Sequence, residues 1–174
     1  MIRSLFLSMQ ELNKGARRPT DIPATKVKKL AVIGAGFMGA SIGYVSALAG
    51  ISVVLIDRDQ DSADKGRGHC VTMVGDALAK GRTSQKAHDE LLARITATAD
   101  LKAISDCDLV IEAVFEDRKV KAETYAKAQP LLAPAAIMAS NTSTLPITSL
   151  ASEFRDQSRF IGIHFFSPVE KMML

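Results

Sequence analysis

A glycine-rich loop is the feature of this sequence that most restricts its fold. Its three glycines are Gly34, Gly36 and Gly39. They follow the apolar run 29–33 and precede a stretch of small residues that Gly50 ends. An apolar run typical of a buried parallel strand, then a GxGxxG loop, then a helix predict a nucleotide-binding βαβ unit. In such a unit the first glycine forms the tight turn, the second lets the backbone approach a pyrophosphate, and the third lets helix and strand pack closely.

An acidic residue follows at the distance that a dinucleotide site requires. Asp57 comes directly after the second apolar run, 51–56, and an acid is expected about 20 residues beyond the loop. A carboxylate there accepts hydrogen bonds from the adenosine ribose hydroxyls and repels the additional phosphate of NADP. Arg58 stands beside it and offers a positive charge to such a phosphate, so the sequence favours NAD as the cofactor without excluding NADP. A purely structural glycine turn is the weaker alternative.

Helices and strands alternate through the rest of the chain. Polar helical patterns over about 60–80, interrupted by three glycines, and over about 84–94 predict a helical hairpin inserted between strands. Ser84 is the expected N-cap of the second helix. A helix is expected over about 118–132. Further short strands are expected at 95–98, 109–114, 136–139 and 160–164. The alternation predicts an α/β fold with a doubly wound, Rossmann-like parallel sheet.

Composition and charge limit the classes of function. The chain has 174 residues and a net charge of +3, without an arginine-rich block interleaved with aromatic residues, so no nucleic-acid partner is expected. No apolar stretch approaches the roughly 18 residues of a membrane span. Cys70 and Cys107 lack metal-ligand spacing, so no metal site is expected. Two reduced thiols fit the cytoplasm or a mitochondrial matrix, and we prefer the cytoplasm.

The first residues differ in character from the rest. Two prolines, a glycine and a pair of arginines make residues 1–25 irregular and polar, which is typical of a linker. We therefore expect a linker over residues 1–25 and a single domain over residues 26–174.

The ends of the last two predicted strands supply candidates for chemistry. His164 ends the last strand, and strand ends face the ligand crevice in a doubly wound sheet. Imidazole titrates near neutral pH, which suits a general base that removes a hydroxyl proton during hydride transfer to NAD. The hydrogen-bonding run 140–144 ends the preceding strand, where it orients a substrate oxygen or caps the helix starting near Pro146. Both roles stay open at this point.

Four blocks of the sequence together resemble the 3-hydroxyacyl-CoA dehydrogenase family, and the resemblance covers residues 27–174. In chain order the blocks are Gly34–Gly39 with Asp57, Val114-Phe115-Glu116 with Lys121, Ser140-Asn141-Thr142-Ser143, and His164-Phe165-Phe166-Ser167-Pro168-Val169. Many families share the glycine loop, whereas the last two blocks are specific. The resemblance implies the NAD-binding domain of an (S)-3-hydroxyacyl-CoA dehydrogenase, which oxidises 3-hydroxyacyl-CoA to 3-ketoacyl-CoA in fatty-acid β-oxidation.

The resemblance also implies roles for individual residues. The implied cofactor-binding residues are Gly34, Ala35, Gly36, Phe37, Met38, Gly39, Asp57, Val114, Phe115, Glu116, Lys121, Ser143 and Ser167. The catalytic candidates are Ser143, which hydrogen-bonds the substrate 3-oxygen, and His164, which takes the hydroxyl proton. Lys80 is expected near the CoA phosphates, and a solvated lysine at a helix end is its alternative. Ser167 stands where many members carry asparagine.

The resemblance further implies a larger parent enzyme. Family members pair the histidine with a later glutamate and carry a helical second domain that dimerises, and we expect both to lie beyond Leu174. The segment 5–19 resembles the connector that follows an enoyl-CoA hydratase module in multifunctional fatty-acid oxidation proteins. We expect an oligomeric parent that acts on acyl-CoA, with thiolase as a candidate partner, and an isolated chain that binds NAD weakly with little turnover. The alternatives are a related dehydrogenase of a small 3-hydroxy acid or an imine, and a non-catalytic nucleotide-sensing module.

Overall fold

A single parallel sheet organises the protein. The computed structural model describes residues 7–11, 14–15, 19–21 and 25–172. Its strands are β1 (Lys29–Ile33), β2 (Ser52–Ile56), β3 (Ile95–Thr98), β4 (Leu109–Glu112), β5 (Ile137–Ser140) and β6 (Phe160–Gly162). They pair in the order β3-β2-β1-β4-β5-β6, with every pair parallel. The order reverses between β1 and β4, which is where such sheets bind ligands. The predicted doubly wound fold is confirmed.

Helices cover both faces of the sheet. Between the first and last strands lie α1 (Phe37–Leu48), α2 (Gln60–Ala79), α3 (Gln85–Ala93), α4 (Arg118–Ala128) and α5 (Ile147–Ala151). Single 3₁₀ turns occupy Leu101–Ile104, Gln129–Leu131 and Gln157–Arg159. Helices α2 and α3 form the predicted hairpin between β2 and β3, and the Ser84 hydroxyl caps α3 by accepting a hydrogen bond from the Ala87 amide at 3.2 Å.

Helix α2 differs from its prediction because its glycines do not interrupt it. It runs unbroken over 20 residues. A Cβ atom at Gly66 would overlap the carbonyl oxygen of Ala35 in the glycine loop. This glycine therefore allows close packing of α2 against the loop.

Other predicted ends also shift. Strand β4 ends at Glu112 rather than at Val114, because the Val114 amide donates to the Glu112 side chain at 2.9 Å. Strand β6 ends at Gly162 rather than at His164, because the Phe165 amide donates to the Asn141 side-chain oxygen at 2.8 Å and leaves the strand ladder. Helix α4 ends at Ala128 and continues as a 3₁₀ turn that contains Pro130, a residue that lacks the N–H an α-helix requires.

Alternate side chains of the central strands enter two separate apolar layers. In β1, Leu30 and Val32 belong to one layer, and Ala31 and Ile33 to the other. Burial on both faces explains why the strands are continuous apolar runs. The two cysteines are buried and free, one in each layer.

Within the described ranges, no helix is both long and apolar enough to cross a membrane. The linker predicted over residues 1–25 falls largely on residues outside those ranges, so it stays a prediction, as does the domain that follows it.

Candidate functional site

The glycine loop lies at the carboxyl end of β1, where the strand order reverses. Gly34 has a φ of +99°, and a Cβ on it would lie 2.6 Å from the Ala113 carbonyl oxygen. A Cβ on Gly39 would overlap the carbonyl oxygen of Gly34. By contrast, a Cβ on Gly36 has no protein atom within 4 Å. The space in front of Gly36 is open, and α1 begins there without a side-chain cap, so its first N–H groups face the place predicted for a pyrophosphate.

Asp57 follows β2 and turns its carboxylate towards this loop. Its Oδ2 accepts a hydrogen bond from the Ala35 amide at 2.8 Å, and its Oδ1 accepts one from the Arg58 amide at 2.8 Å. The two backbone donors hold the carboxylate at the edge of the cleft, where a ribose contact requires it. The Arg58 guanidinium pairs with Asp59 at 3.2 Å, and Arg58 lines the cleft beside Asp57.

A cavity of about 560 Å³ opens between the ends of β1 to β4 and helix α4. The predicted residues Gly34, Gly36, Asp57, Val114 and Phe115 line it. Several other lining residues are not evident from the sequence, namely Ala99, Leu101, Val120, Thr124 and Lys127. The last three lie on one face of α4, at positions i, i+4 and i+7. This spacing identifies lining residues only when it is known which face of the helix borders the cleft. Apolar walls beside Asp57 suit a planar adenine ring.

A second cavity, of about 580 Å³, lies on the other side of the loop against α2. Phe37, Lys65 and His69 are among its lining residues. The rings of Phe37 and His69 pack with centroids 5.6 Å apart.

Glu116, in the loop after β4, holds the turn that follows β5. Its Oε1 accepts hydrogen bonds from the Thr142 hydroxyl at 2.6 Å and from the amides of Ser143 and Thr144 at 2.8 and 2.9 Å. Lys121 Nζ lies 3.2 Å from its Oε2. Burial alone would raise the pKa of Glu116, but the donors of the turn and Lys121 outweigh burial and lower the pKa to about 2. Glu116 is therefore a carboxylate at neutral pH.

Lys121 lies inside the protein with its side chain 1% exposed. Its Nζ is 2.7 Å from Glu112 Oε1 in addition to its contact with Glu116. The structure thus places the ammonium between two glutamates behind the cleft. The direct contact with the cofactor that the resemblance implies for Lys121 stays a prediction.

The run 140–144 does not cap the next helix with a side chain. Helix α5 has Pro146 as its N-cap, without a side-chain hydrogen bond. The hydroxyls of the run instead face the two glutamates: Ser140 donates to Glu112, and Thr142 donates to Glu116. Ser143 is exposed at the tip of this turn, so its hydroxyl is accessible to a ligand.

His164 lies two residues beyond β6 and is half-buried. Its Nδ1 is 3.2 Å from the Thr142 carbonyl oxygen. Because a carbonyl oxygen only accepts, this contact assigns the hydrogen to Nδ1 and leaves the lone pair on Nε2. The ring of Phe166 meets the imidazole edge-on, with centroids 4.7 Å apart and planes at 87°. This tautomer makes Nε2 the ring nitrogen that can accept a proton, and the role of His164 as a base stays a prediction.

The remaining predicted residues lie at the periphery. Ser167 is exposed and precedes Pro168 through a cis peptide bond. Lys80 follows α2, with Nζ 3.9 Å from Asp76 and its side chain 59% exposed. Among the described residues, no group of three or more His, Cys, Asp or Glu side chains is placed to hold a metal ion.

The strand order, the glycine loop and the held carboxylate of Asp57 define a dinucleotide-binding domain. Residues 29–174 match the family model described as 3-hydroxyacyl-CoA dehydrogenase, NAD binding domain. The chain belongs to this family. The family and the NAD cofactor predicted from the sequence are thereby confirmed.

Individual relatives are longer than this chain. The fatty acid oxidation complex subunit alpha of Idiomarina loihiensis is 35% identical over 170 residues, which are 98% of this chain and 24% of the relative. The probable 3-hydroxybutyryl-CoA dehydrogenase of Deinococcus radiodurans is 40% identical over 146 residues, 84% of this chain and 52% of the relative. The crystal structure of M. tuberculosis FadB2 superposes with a TM-score of 0.80 at 38% identity, covering 83% of this chain and 51% of that one. The chain thus spans about a quarter to a half of the relatives' length.

Proposed function

We propose that this chain is the cofactor-binding part of an NAD-dependent (S)-3-hydroxyacyl-CoA dehydrogenase, which oxidises a 3-hydroxyacyl-CoA to a 3-ketoacyl-CoA. The observation that carries the proposal is the contact between the His164 imidazole and the turn after β5. The carbonyl of Thr142 orients the imidazole, and the exposed Ser143 is the next residue of the same turn. Family membership and the names of the relatives support the same reaction.

The residues of the cleft fit NAD. Gly36 leaves room for a pyrophosphate, and Asp57 is held ready for the ribose hydroxyls. In the proposed site the whole loop, with Ala35, Phe37 and Met38, takes the adenosine and pyrophosphate half. The residues proposed for the ribose and nicotinamide half are Val114, Phe115, Glu116, Lys121, Ser143 and Ser167.

The proposed chemistry divides between cofactor and protein. Bound NAD supplies the hydride acceptor. His164 Nε2 takes the proton of the substrate hydroxyl as the C3–H bond breaks, and the ring becomes an imidazolium whose Nδ1–H remains on the Thr142 carbonyl. The Ser143 hydroxyl donates to the 3-oxygen, and Glu116 holds the Ser143 backbone in place. Lys80, at the open end of α2, is proposed for the CoA phosphates.

We also propose a multifunctional parent with a hydratase module ahead of residue 26. The match to the oxidation-complex subunit covers 98% of the chain, whereas the family model begins at residue 29. Residues 1–25 are then the connector, and residues 26–174 the cofactor domain. An oligomeric complex with a thiolase is the proposed assembly. The two buried free thiols fit the reducing cytoplasm of a bacterium.

The reaction is tested with the complete protein that contains this chain. Oxidation of (S)-3-hydroxybutyryl-CoA is followed by NADH absorbance in wild type and in His164→Gln. A glutamine amide keeps a donor for the Thr142 carbonyl but is no base, so we expect kcat to fall by about 10² to 10⁴ while the Kd for NAD is unchanged. His88→Gln, in helix α3 and outside both cavities, is the matched control and should keep wild-type kcat.

Wild-type turnover that survives in His164→Gln would remove the histidine from the mechanism. A complete protein that binds NAD and oxidises no 3-hydroxyacyl-CoA would favour a nucleotide-sensing module. The chain alone should bind NAD weakly with little turnover.

A further inference from the structure

Glu112, the last residue of β4, is fully buried and accepts four hydrogen bonds. Its Oε1 accepts from the Val114 amide at 2.9 Å and from Lys121 Nζ at 2.7 Å. Its Oε2 accepts from the Tyr125 hydroxyl at 2.8 Å and from the Ser140 hydroxyl at 2.7 Å. One carboxylate therefore joins the loop after β4, helix α4 and the end of β5.

A glutamate is an unusual residue for the end of a buried strand. Burying its charge costs free energy, and well-packed apolar residues often replace buried ion pairs with no loss of stability. Packing of the sheet alone therefore does not require Glu112. Its four donors belong to three segments that meet at the candidate site, which points to a role in arranging them.

Lys121 connects Glu112 to the rim of the site. Its buried ammonium is shared by two carboxylates, at 2.7 Å from Glu112 and 3.2 Å from Glu116. The other oxygen of Glu116 accepts from the amides of Ser143 and Thr144. Without the charge of Glu112, Glu116 is the remaining anionic partner of the ammonium among the described residues, and we expect the ammonium to move towards it. Such a movement turns the Glu116 carboxylate away from the two amides.

We propose that Glu112 is a positioning residue of the dehydrogenase site, which acts through Lys121 and Glu116 on the turn that presents Ser143. The role of that turn in turnover rests on the proposed function. The same turn contains the Thr142 carbonyl that orients His164, so Glu112 influences both catalytic candidates without touching substrate.

The test uses Glu112→Gln, which keeps the size of the side chain and removes its charge. Amide hydrogen exchange is measured by NMR on the 174-residue chain. We expect the amides of Ser143 and Thr144 to exchange at least tenfold faster, because they report directly on the Glu116 contact. The amides of Val110 and Ile111, in the centre of the sheet, should keep wild-type exchange if the fold is intact.

The complete protein provides the second readout. In Glu112→Gln we expect kcat to fall about tenfold with less than a twofold change in KM for NAD. Asp106→Asn is the matched control, because it removes a carboxylate that pairs with Lys29 at 2.6 Å on the surface. It should leave both readouts at wild-type values.

The positioning role of Glu112 and the proposed dehydrogenase function are overturned by different results. Wild-type exchange at Ser143 and Thr144 in folded Glu112→Gln overturns the positioning role, whether or not the complete protein turns over. Absence of turnover in the wild-type protein overturns the proposed function, and the exchange result still decides the positioning role. If Glu112→Gln does not fold, Tyr125→Phe is measured instead, because it removes one of the two hydroxyl donors that fix Oε2 of Glu112 and so loosens the carboxylate beside Lys121. Faster exchange at the same two amides then supports the role, and unchanged exchange overturns it.

Discussion

At the scale of single residues, some residues of the cleft are required for packing of the fold, whereas others are available to a ligand. Gly34 and Gly39 are crowded by backbone atoms, whereas Gly36 faces open space. Asp57 and Glu116 are both held by backbone amides. Held carboxylates lose little conformational entropy when a ligand arrives, so the site is organised before binding.

Gly36→Ala tests whether this glycine serves ligand binding rather than packing of the fold. The added methyl group meets no protein atom within 4 Å, and φ at this position is −65°, so we expect a wild-type unfolding midpoint. The methyl group projects into the space proposed for the pyrophosphate, so NAD affinity should fall at least tenfold, about 1.4 kcal/mol. Isothermal titration calorimetry with NAD measures the effect. Unchanged affinity would place the pyrophosphate elsewhere.

At the scale of elements, the glycines of α1 and α2 carry different constraints. Gly39 brings the first turn of α1 against the loop, and Gly66 brings α2 against Ala35. Gly68 meets nothing within 4 Å and lies in the interior of α2. In the hairpin, Gly66 thus allows close packing against the loop, whereas Gly68 only lowers the helix propensity of α2.

Gly39→Ala and Gly68→Ala form a matched pair for this conclusion. The first places a methyl group onto the Gly34 carbonyl oxygen, and we expect it to lower the free energy of unfolding by about 3 kcal/mol or more. The second relieves the entropic cost of a helical glycine and should raise that free energy by about 0.5 to 1 kcal/mol. Urea unfolding of each variant measures both. Equal effects in the two variants would contradict the packing argument.

At the scale of the whole molecule, Glu116 couples stability to pH. It ties the loop after β4 to the turn after β5, and its pKa falls from 4.5 to about 2 in the folded protein. A carboxylate whose pKa is lowered by folding contributes stability above its unfolded pKa and loses it as the pH falls through the folded one. Its side chain is 34% exposed, so solvent screening reduces the expected contribution to about 1 to 2 kcal/mol.

The stability of wild type and Glu116→Gln should therefore differ most above pH 4.5 and converge as the pH falls towards 2. Urea unfolding at pH 7, 4 and 3 measures this difference. Glu90→Gln, at an exposed glutamate 3.9 Å from Lys86, is the matched control. A difference that stays constant from pH 7 to pH 3 would mean that the Glu116 carboxylate is not the source of the effect.

The sequence by itself determined the fold class, the dinucleotide loop and the family. These follow from local properties: apolar runs of strand length, glycines at the spacing of a dinucleotide loop, and an acid directly after the second apolar run. It also located His164 near the end of a strand, although the strand stops two residues earlier.

Only the tertiary structure decided how the site residues contact one another. Nothing in the sequence distinguishes Glu112 as a site residue, because it stands within an apolar run. The contact between Glu116 and the Ser143 turn joins residues 27 positions apart. The acceptor for His164 is a backbone carbonyl, which every residue possesses and no sequence pattern reveals. Such contacts arise because parallel register brings the ends of β4, β5 and β6 to one edge of the sheet. A local pattern predicts each element, but only their packing selects which side chains meet.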